Sequence, residues 1–166
     1  STDIAAQVAE TLDPLARALH LSHVVIHGGV SAAPQVKALT RGVDIVIACP
    51  GRLEDLMQQR HCRLDKVSIT VVDEADHMAD LGFLPVVKRV LDKTPQNGQR
   101  LLFSATLDNG VDVLVERYLH SPAVHSVDSA ESPVPDMEHH VLCVSRDDKP
   151  ALVQALVSGR ERTLLF

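Results

Sequence analysis

Tryptophan is absent from this 166-residue sequence, and one tyrosine and three phenylalanines leave aromatics at 2% of a chain that is 45% hydrophobic. A core without large rings has to be built from Val, Leu, Ile and Ala, the composition of strands covered on both faces by helices. Only three cysteines occur, Cys49, Cys62 and Cys143, and none has CxxC spacing. That excludes a small disulfide framework and points to a reducing compartment, read here as cytoplasmic. No apolar run is long enough to cross a bilayer and no signal-peptide pattern opens the chain, so no membrane partner is expected. Basic residues are in deficit: 16 Lys and Arg face 22 Asp and Glu, a formal net charge of −6. Bulk attraction to nucleic acid is thereby excluded, and any phosphate contact has to come from local cations or backbone N–H groups.

What the sequence does have is centred on residues 69–76, ITVVDEAD, an apolar β-branched run that stops at three carboxylates within four residues. Such a run predicts a buried strand delivering acids to the carboxyl edge of a parallel sheet, where ligands sit. Acids in that position hold a divalent cation or orient a water against a phosphate. Asp73 and Glu74 are the first functional candidates; the competing reading is that they solvate a strand end and cap the next helix.

The length suits one sizeable core and is too short for two ordinary domains. Residues 1–20 carry Ile4, Val8, Leu12, Leu15 and Leu19 at steps of three and four, which predicts an amphipathic helix. Short apolar runs follow at 24–26, 45–48, 69–72 and 101–103, with Val124 and Val127 as a further one. Helical patterns lie between them at 34–39, 53–59, 84–91 and 111–119. This alternation predicts βαβ crossovers and a parallel α/β sheet. Residues 129–135, SAESPVP, read as an extended linker. Beyond it, 140–144 reads as a strand, 150–157 as a helix and 163–166 as a strand. Histidines 20, 23 and 27 straddle a helix end and a strand, so they are not expected to converge on a metal, and the same holds for His139 and His140.

Four strand ends carry unusual sequence: HGG at 27–29, CPGR at 49–52, DEAD at 73–76 and SAT at 104–106. The order and positions of these motifs resemble the first RecA-like domain of DEAD-box RNA helicases. Further support comes from HMADLGF after DEAD and from STDIAAQ at 1–7, similar to the family's TRELAxQ. HHVLCVSRDDKPALVQALV and RTLLF resemble the opening of a second RecA-like domain. The resemblance implies an α/β fold of P-loop NTPase type, a RecA-like parallel sheet with helices on both faces, truncated at both ends. The expected parts are a first domain over 1–128, a linker over 129–138 and the start of a second domain over 139–166.

Carried over residue by residue, the resemblance implies that Asp73 holds Mg²⁺ on the phosphates of ATP, largely through water, and that Glu74 orients and deprotonates the attacking water. Asp76 would hydrogen-bond Ser104 or Thr106 and link the nucleotide site to domain closure; ordinary helix capping by Ser104 and Thr106 is compatible with that role. Gly28 and Gly29 would let an RNA backbone approach closely, and Pro50, Gly51 and Arg52 would set helix-end N–H groups and one guanidinium against phosphates. Plain strand-to-helix turns are the alternative for both loops. Backbone contacts of this kind carry no base specificity.

Two residues depart from the family pattern: Thr2 stands where the family has a phosphate-contacting Arg, and Cys49 replaces the Thr before Pro-Gly-Arg. No GxxxxGK[ST] loop occurs in the chain, so the 166 residues alone are expected to be inactive towards ATP. In the RecA-like order the SAT strand lies beside the strand that enters that loop. The edge formed by Leu101, Leu102 and Phe103 is therefore expected to be open to self-association or to a folded-back C-terminal strand. Two rival functions stand beside the helicase: a non-catalytic RNA- or protein-binding module, and a Mg²⁺-dependent phosphoesterase, which would need a second cluster of metal ligands that the sequence lacks.

Overall fold

The computed structural model describes residues 2–108, 110–126, 140–159 and 163, and it divides into two compact units, Ser1–Ala123 and Val124–Phe166. The first unit runs α1 (Thr2–Ala18), β1 (His23–Ile26), α2 (Ala33–Arg41), β2 (Ile45–Ala48), α3 (Pro50–Gln58), β3 (Ile69–Val72), α4 (Ala75–Asp80), α5 (Leu84–Leu91), β4 (Gln99–Leu102) and α6 (Val111–Tyr118). All pairing is parallel, as the alternation of elements predicts: β1 lies beside β2 and β3 beside β4, each pair joined by a helical crossover. Among the described residues the four strands form two doublets rather than one continuous sheet.

Register in the first doublet is fixed before the strands begin. The backbone N–H and hydroxyl of Ser22 both donate to Asp44 Oδ2, at 2.8 and 2.7 Å. Those two donors, the backbone N–H first, hold the Asp44 carboxyl below the usual carboxylate range. One core gathers around this doublet, with Ile26, Leu53, Leu56, Cys62 and Leu64 buried; a second gathers Val87, Leu91, Leu114 and Tyr118. The two are tied by α3 packing on α5 and by a bidentate ion pair in which Arg89 grips Glu54. Tyr118, the only tyrosine, sits with its ring 5.3 Å from the Arg100 guanidinium and 5.2 Å from that of Arg117, and its hydroxyl meets Asp92 Oδ1 at 2.8 Å.

Several boundaries differ from the sequence reading. In α1 the buried residues are Ala5, Ala9 and Ala16, while Leu15 is 60% exposed and Leu19 lies past the helix end. Small residues let α1 lie close against β1 and β2, which rotates the packed face away from the leucines. The fourth strand starts at Gln99 because Gln99 N–H donates to Ser68 O at 2.8 Å, so pairing extends into polar residues that periodicity ignores. A separate α4 that opens within DEAD, at Ala75, was not foreseen; it stops at Leu81, and Gly82 at φ +74° turns the chain into α5. Residues 124–126 carry no strand. Among the described residues β4 has no neighbour beyond β3, and Phe103 is 54% exposed.

In the second unit, α7 (Lys149–Val157) forms where a helix is predicted. Its start is locked by a reciprocal pair, Ser145 Oγ donating to Asp148 Oδ2 at 2.6 Å and Asp148 N–H donating back to Ser145 Oγ at 3.2 Å. The expected strand at 140–144 is not formed: these residues are exposed, Val141 by 91%, and a strand without a partner has no ladder to satisfy its backbone. The linker reading at 129–135, Val127, His139 and all of the 163–166 strand except Thr163 lie outside the described residues.

Candidate functional site

Where β3 ends, the chain delivers its acids. Pairing with β4 continues past the strands, Phe103 N–H donating to Val72 O at 2.8 Å and Ala75 N–H to Phe103 O at 3.2 Å. This zips residues 73–76 against 103–106. Asp76 N–H donates to Ser104 Oγ (3.1 Å), Ser104 Oγ–H donates to Thr106 O (2.6 Å), and Thr106 N–H donates to Asp76 Oδ2 (3.2 Å). Asp76 Oδ1 takes a further N–H, from His77, at 2.9 Å. The His77 N–H first, then the Thr106 N–H, hold the Asp76 carboxyl below the usual range, so the junction is made by a carboxylate. Asp76, Ser104 and Thr106 are thus brought together, with Thr106 entering through its backbone.

Glu74 stands at φ 54°, ψ 45°, a left-handed conformation that costs a non-glycine residue about 1–2 kcal/mol. Its N–H donates back to Asp73 Oδ1 at 2.9 Å. Both are exposed at a cleft of about 430 Å³ that Asp76, Asp80, His77 and Ser104 also line. His77 and Asp80, one helical turn apart on α4, escaped the sequence reading, because no separate helix was placed directly after DEAD. Among the described residues no three His, Cys, Asp or Glu side chains form a cage sufficient for a metal. Mg²⁺ fits here nonetheless: it takes hard oxygen ligands, keeps several waters and needs only one or two carboxylates beside substrate phosphates. Asp73, with a carboxylate opening on the cleft, supplies that donor chemistry.

The HGG and CPGR loops meet at the end of the other doublet. Cys49 N–H donates to Ile26 O at 2.8 Å, extending the β1–β2 ladder, and both Arg52 terminal nitrogens donate to Val30 O, at 3.2 and 3.1 Å. Gly29, at φ +77°, requires glycine; a Cβ placed on Gly28 or Gly29 would meet nothing within 4 Å, so this turn faces open space. Pro50 opens α3 behind Cys49, whose side chain makes no cap, leaving the first-turn N–H groups of Gly51 and Arg52 without a side-chain acceptor. Gly51 lies against the Phe83 ring, 4.0 Å from its Cε1 to a Cβ built on Gly51, so the CPGR loop touches the segment that follows α4. His20, His23 and His27 form no metal group among the described residues, and His27 Nδ1 is engaged with Gly28 O at 2.9 Å.

Comparison with known proteins is in keeping with this geometry. The family profile of DEAD/DEAH box helicases matches residues 1–114. ATP-dependent RNA helicase RhlB of Pseudomonas syringae pv. tomato is 35% identical over 99% of the chain and 43% of its own length. DEAD-box ATP-dependent RNA helicase 5 of Oryza sativa subsp. japonica is 40% identical over 78% of the chain and 25% of its own. The chain thus spans less than half the length of either relative. A DEAD box protein from Methanococcus jannaschii superposes with a TM-score of 0.74 at 27% identity, over 97% of this chain and 43% of that one. The fold is therefore RecA-like α/β, and the chain belongs to the DEAD/DEAH box helicase family.

Proposed function

We propose that the protein carrying this chain is an ATP-dependent RNA helicase acting in the cytoplasm, which opens short duplexes or remodels RNA–protein complexes as ATP closes two RecA-like domains. The observation that carries the reading is the hydrogen-bonded ring of Asp76, Ser104 and Thr106, which fastens the acid-bearing loop to the end of β4. Asp73 would hold Mg²⁺, mainly through water, and the ion would supply charge neutralisation for phosphoryl transfer from ATP. Glu74 would orient the attacking water and accept its proton, from its left-handed position at the end of β3. Gly28 and Gly29 admit an RNA backbone, while Gly51 and Arg52 offer N–H groups and a guanidinium, with Pro50 fixing the helix start. Because these contacts address phosphate and sugar, the protein binds RNA without base specificity, and local donors overcome the net charge of −6.

Residues 1–128 would form the first domain, 129–138 the linker and 139–166 the start of the second. The 166 residues alone, with no GxxxxGK[ST] cradle, would hold ATP weakly and not hydrolyse it. Alone they would also associate through the Leu101, Leu102, Phe103 edge, since β4 is unpaired there among the described residues. A non-catalytic RNA- or protein-binding role is the second reading. The substitution Glu74→Gln in the whole protein separates the two: it should abolish ATP turnover and spare Mg-ATP binding. Unchanged turnover would remove Glu74 from the chemistry.

A further inference from the structure

Gln35 is one of two buried polar residues among those described, 6% exposed in the first turns of α2. Its Nε2 donates to His27 O at 3.0 Å, while its Oε1 is buried without any hydrogen-bond partner among the described residues. An orphaned amide oxygen in a protein interior opposes folding, and a methionine of nearly the same shape would remove that burden. The orphaned oxygen offsets the one hydrogen bond that the amide makes, so net fold stability gives little reason for an amide at this position.

Geometry gives one. The HGG turn is held from outside on both sides of its glycines: Gln35 holds the carbonyl of His27 just before them, and Arg52 holds the carbonyl of Val30 just after, at 3.2 and 3.1 Å, while between them the only tie among the described residues is local, from the His27 ring to Gly28 O at 2.9 Å. Two consecutive glycines have more backbone freedom than any other pair, and an unpinned turn would have to lose that freedom each time a ligand docked. We propose that Gln35 is a positioning residue for RNA binding, its side-chain amide fixing the His27 carbonyl so that Gly28 and Gly29 are preorganised to receive the RNA backbone. The inference rests on the RNA-binding reading above and deepens it. Gln35 touches no RNA itself; its effect passes through the turn.

The test is Gln35→Met in the whole protein, with fluorescently labelled single-stranded RNAs of several sequences as probes. The melting temperature should hold or rise, and Mg-ATP affinity should stay unchanged. RNA affinity should fall about 3- to 10-fold on every sequence, the worth of one hydrogen bond. The slope of affinity against salt should not change, because no phosphate contact is lost. In the RNA-free protein, amide exchange at Gly28 and Gly29 should quicken while the β1–β2 ladder keeps its protection. RNA affinity equal to that of the wild type would overturn the proposal, and so would a lowered melting temperature, which would make Gln35 an ordinary stabilising residue. Wild-type protein that binds none of the RNAs would fail the RNA reading together with this one.

Discussion

Ser104→Ala is the sharpest probe of how the acid loop is joined to the end of β4. The hydroxyl makes two hydrogen bonds there, accepting from Asp76 N–H and donating to Thr106 O, while Asp76 meets the backbone of Thr106 directly. Each is worth about 1 kcal/mol net at a half-buried position, so their joint loss removes about 2 kcal/mol from the fastened geometry. At 1.4 kcal/mol per factor of ten, that lowers the occupancy of the joined state by roughly 30-fold. Neither bond involves the free oxygen of Asp73 or the carboxylate of Glu74, so Mg-ATP binding should move by less than about twofold. The measurement is the rate of strand separation divided by the rate of phosphate release in the whole protein, with Mg-ATP affinity taken on the same samples. The ratio should fall on the order of 10- to 30-fold. Thr106→Ala should leave it near the wild-type value, because Thr106 contributes only N–H and C=O to the ring. A ratio unchanged in Ser104→Ala, or a Thr106→Ala effect as large, would refute the argument.

Two further outcomes can be checked independently. Replacing Arg52 by Ala should weaken binding of all RNA sequences about equally and lower the salt slope by about 1, as expected for one phosphate contact; loss confined to one sequence would indicate base readout, and no loss would leave Arg52 as a brace for Val30 alone. Burial first, and the Asp92 hydrogen bond second, push the Tyr118 hydroxyl up from 10.0 to about 12. As its folded value is the higher, its stabilising effect is complete below pH 10 and is lost as the pH rises through about 12. With one tyrosine and no tryptophan, tyrosinate absorbance reads this directly, and Asp92→Asn should bring the midpoint part of the way back towards 10.

Much of this was legible in the sequence where a local pattern and a chemical demand coincide. The run ITVV is β-branched and apolar and forms β3 over the residues expected, although the strand is not buried as expected, Ile69 being 57% and Val71 55% exposed; the carboxylates that follow fall at the cleft because a parallel strand delivers its carboxyl end there. The joining of Asp76 to Ser104 and Thr106 came from family resemblance, and the structure adds what no resemblance carried, that the Thr106 part is played by backbone. Burial was read less well. Leu15 looks like core by type and spacing, yet alanines occupy the packed face of α1, since closeness to the strands is decided by the partner surface and not by the helix's own periodicity. The apolar run at 140–144 misled for a related reason: β-propensity measures fit to a neighbouring strand, and among the described residues none pairs with it.

The sequence hid Gln35 most completely. A glutamine in a helical stretch carries no pattern and defaults to the solvent face, and its burial depends on a turn eight residues earlier whose carbonyl needs a donor. The same holds for Arg52: its charge drew a phosphate contact from the motif, while its tie to Val30 depends on the β1–β2 pairing that brings residues 22 positions apart within reach. In both cases the side chain with recognisable chemistry stands behind the glycine turn and holds a carbonyl that flanks it. A search of the sequence for side chains with recognisable chemistry therefore finds the motif but passes over the residue that holds it in shape.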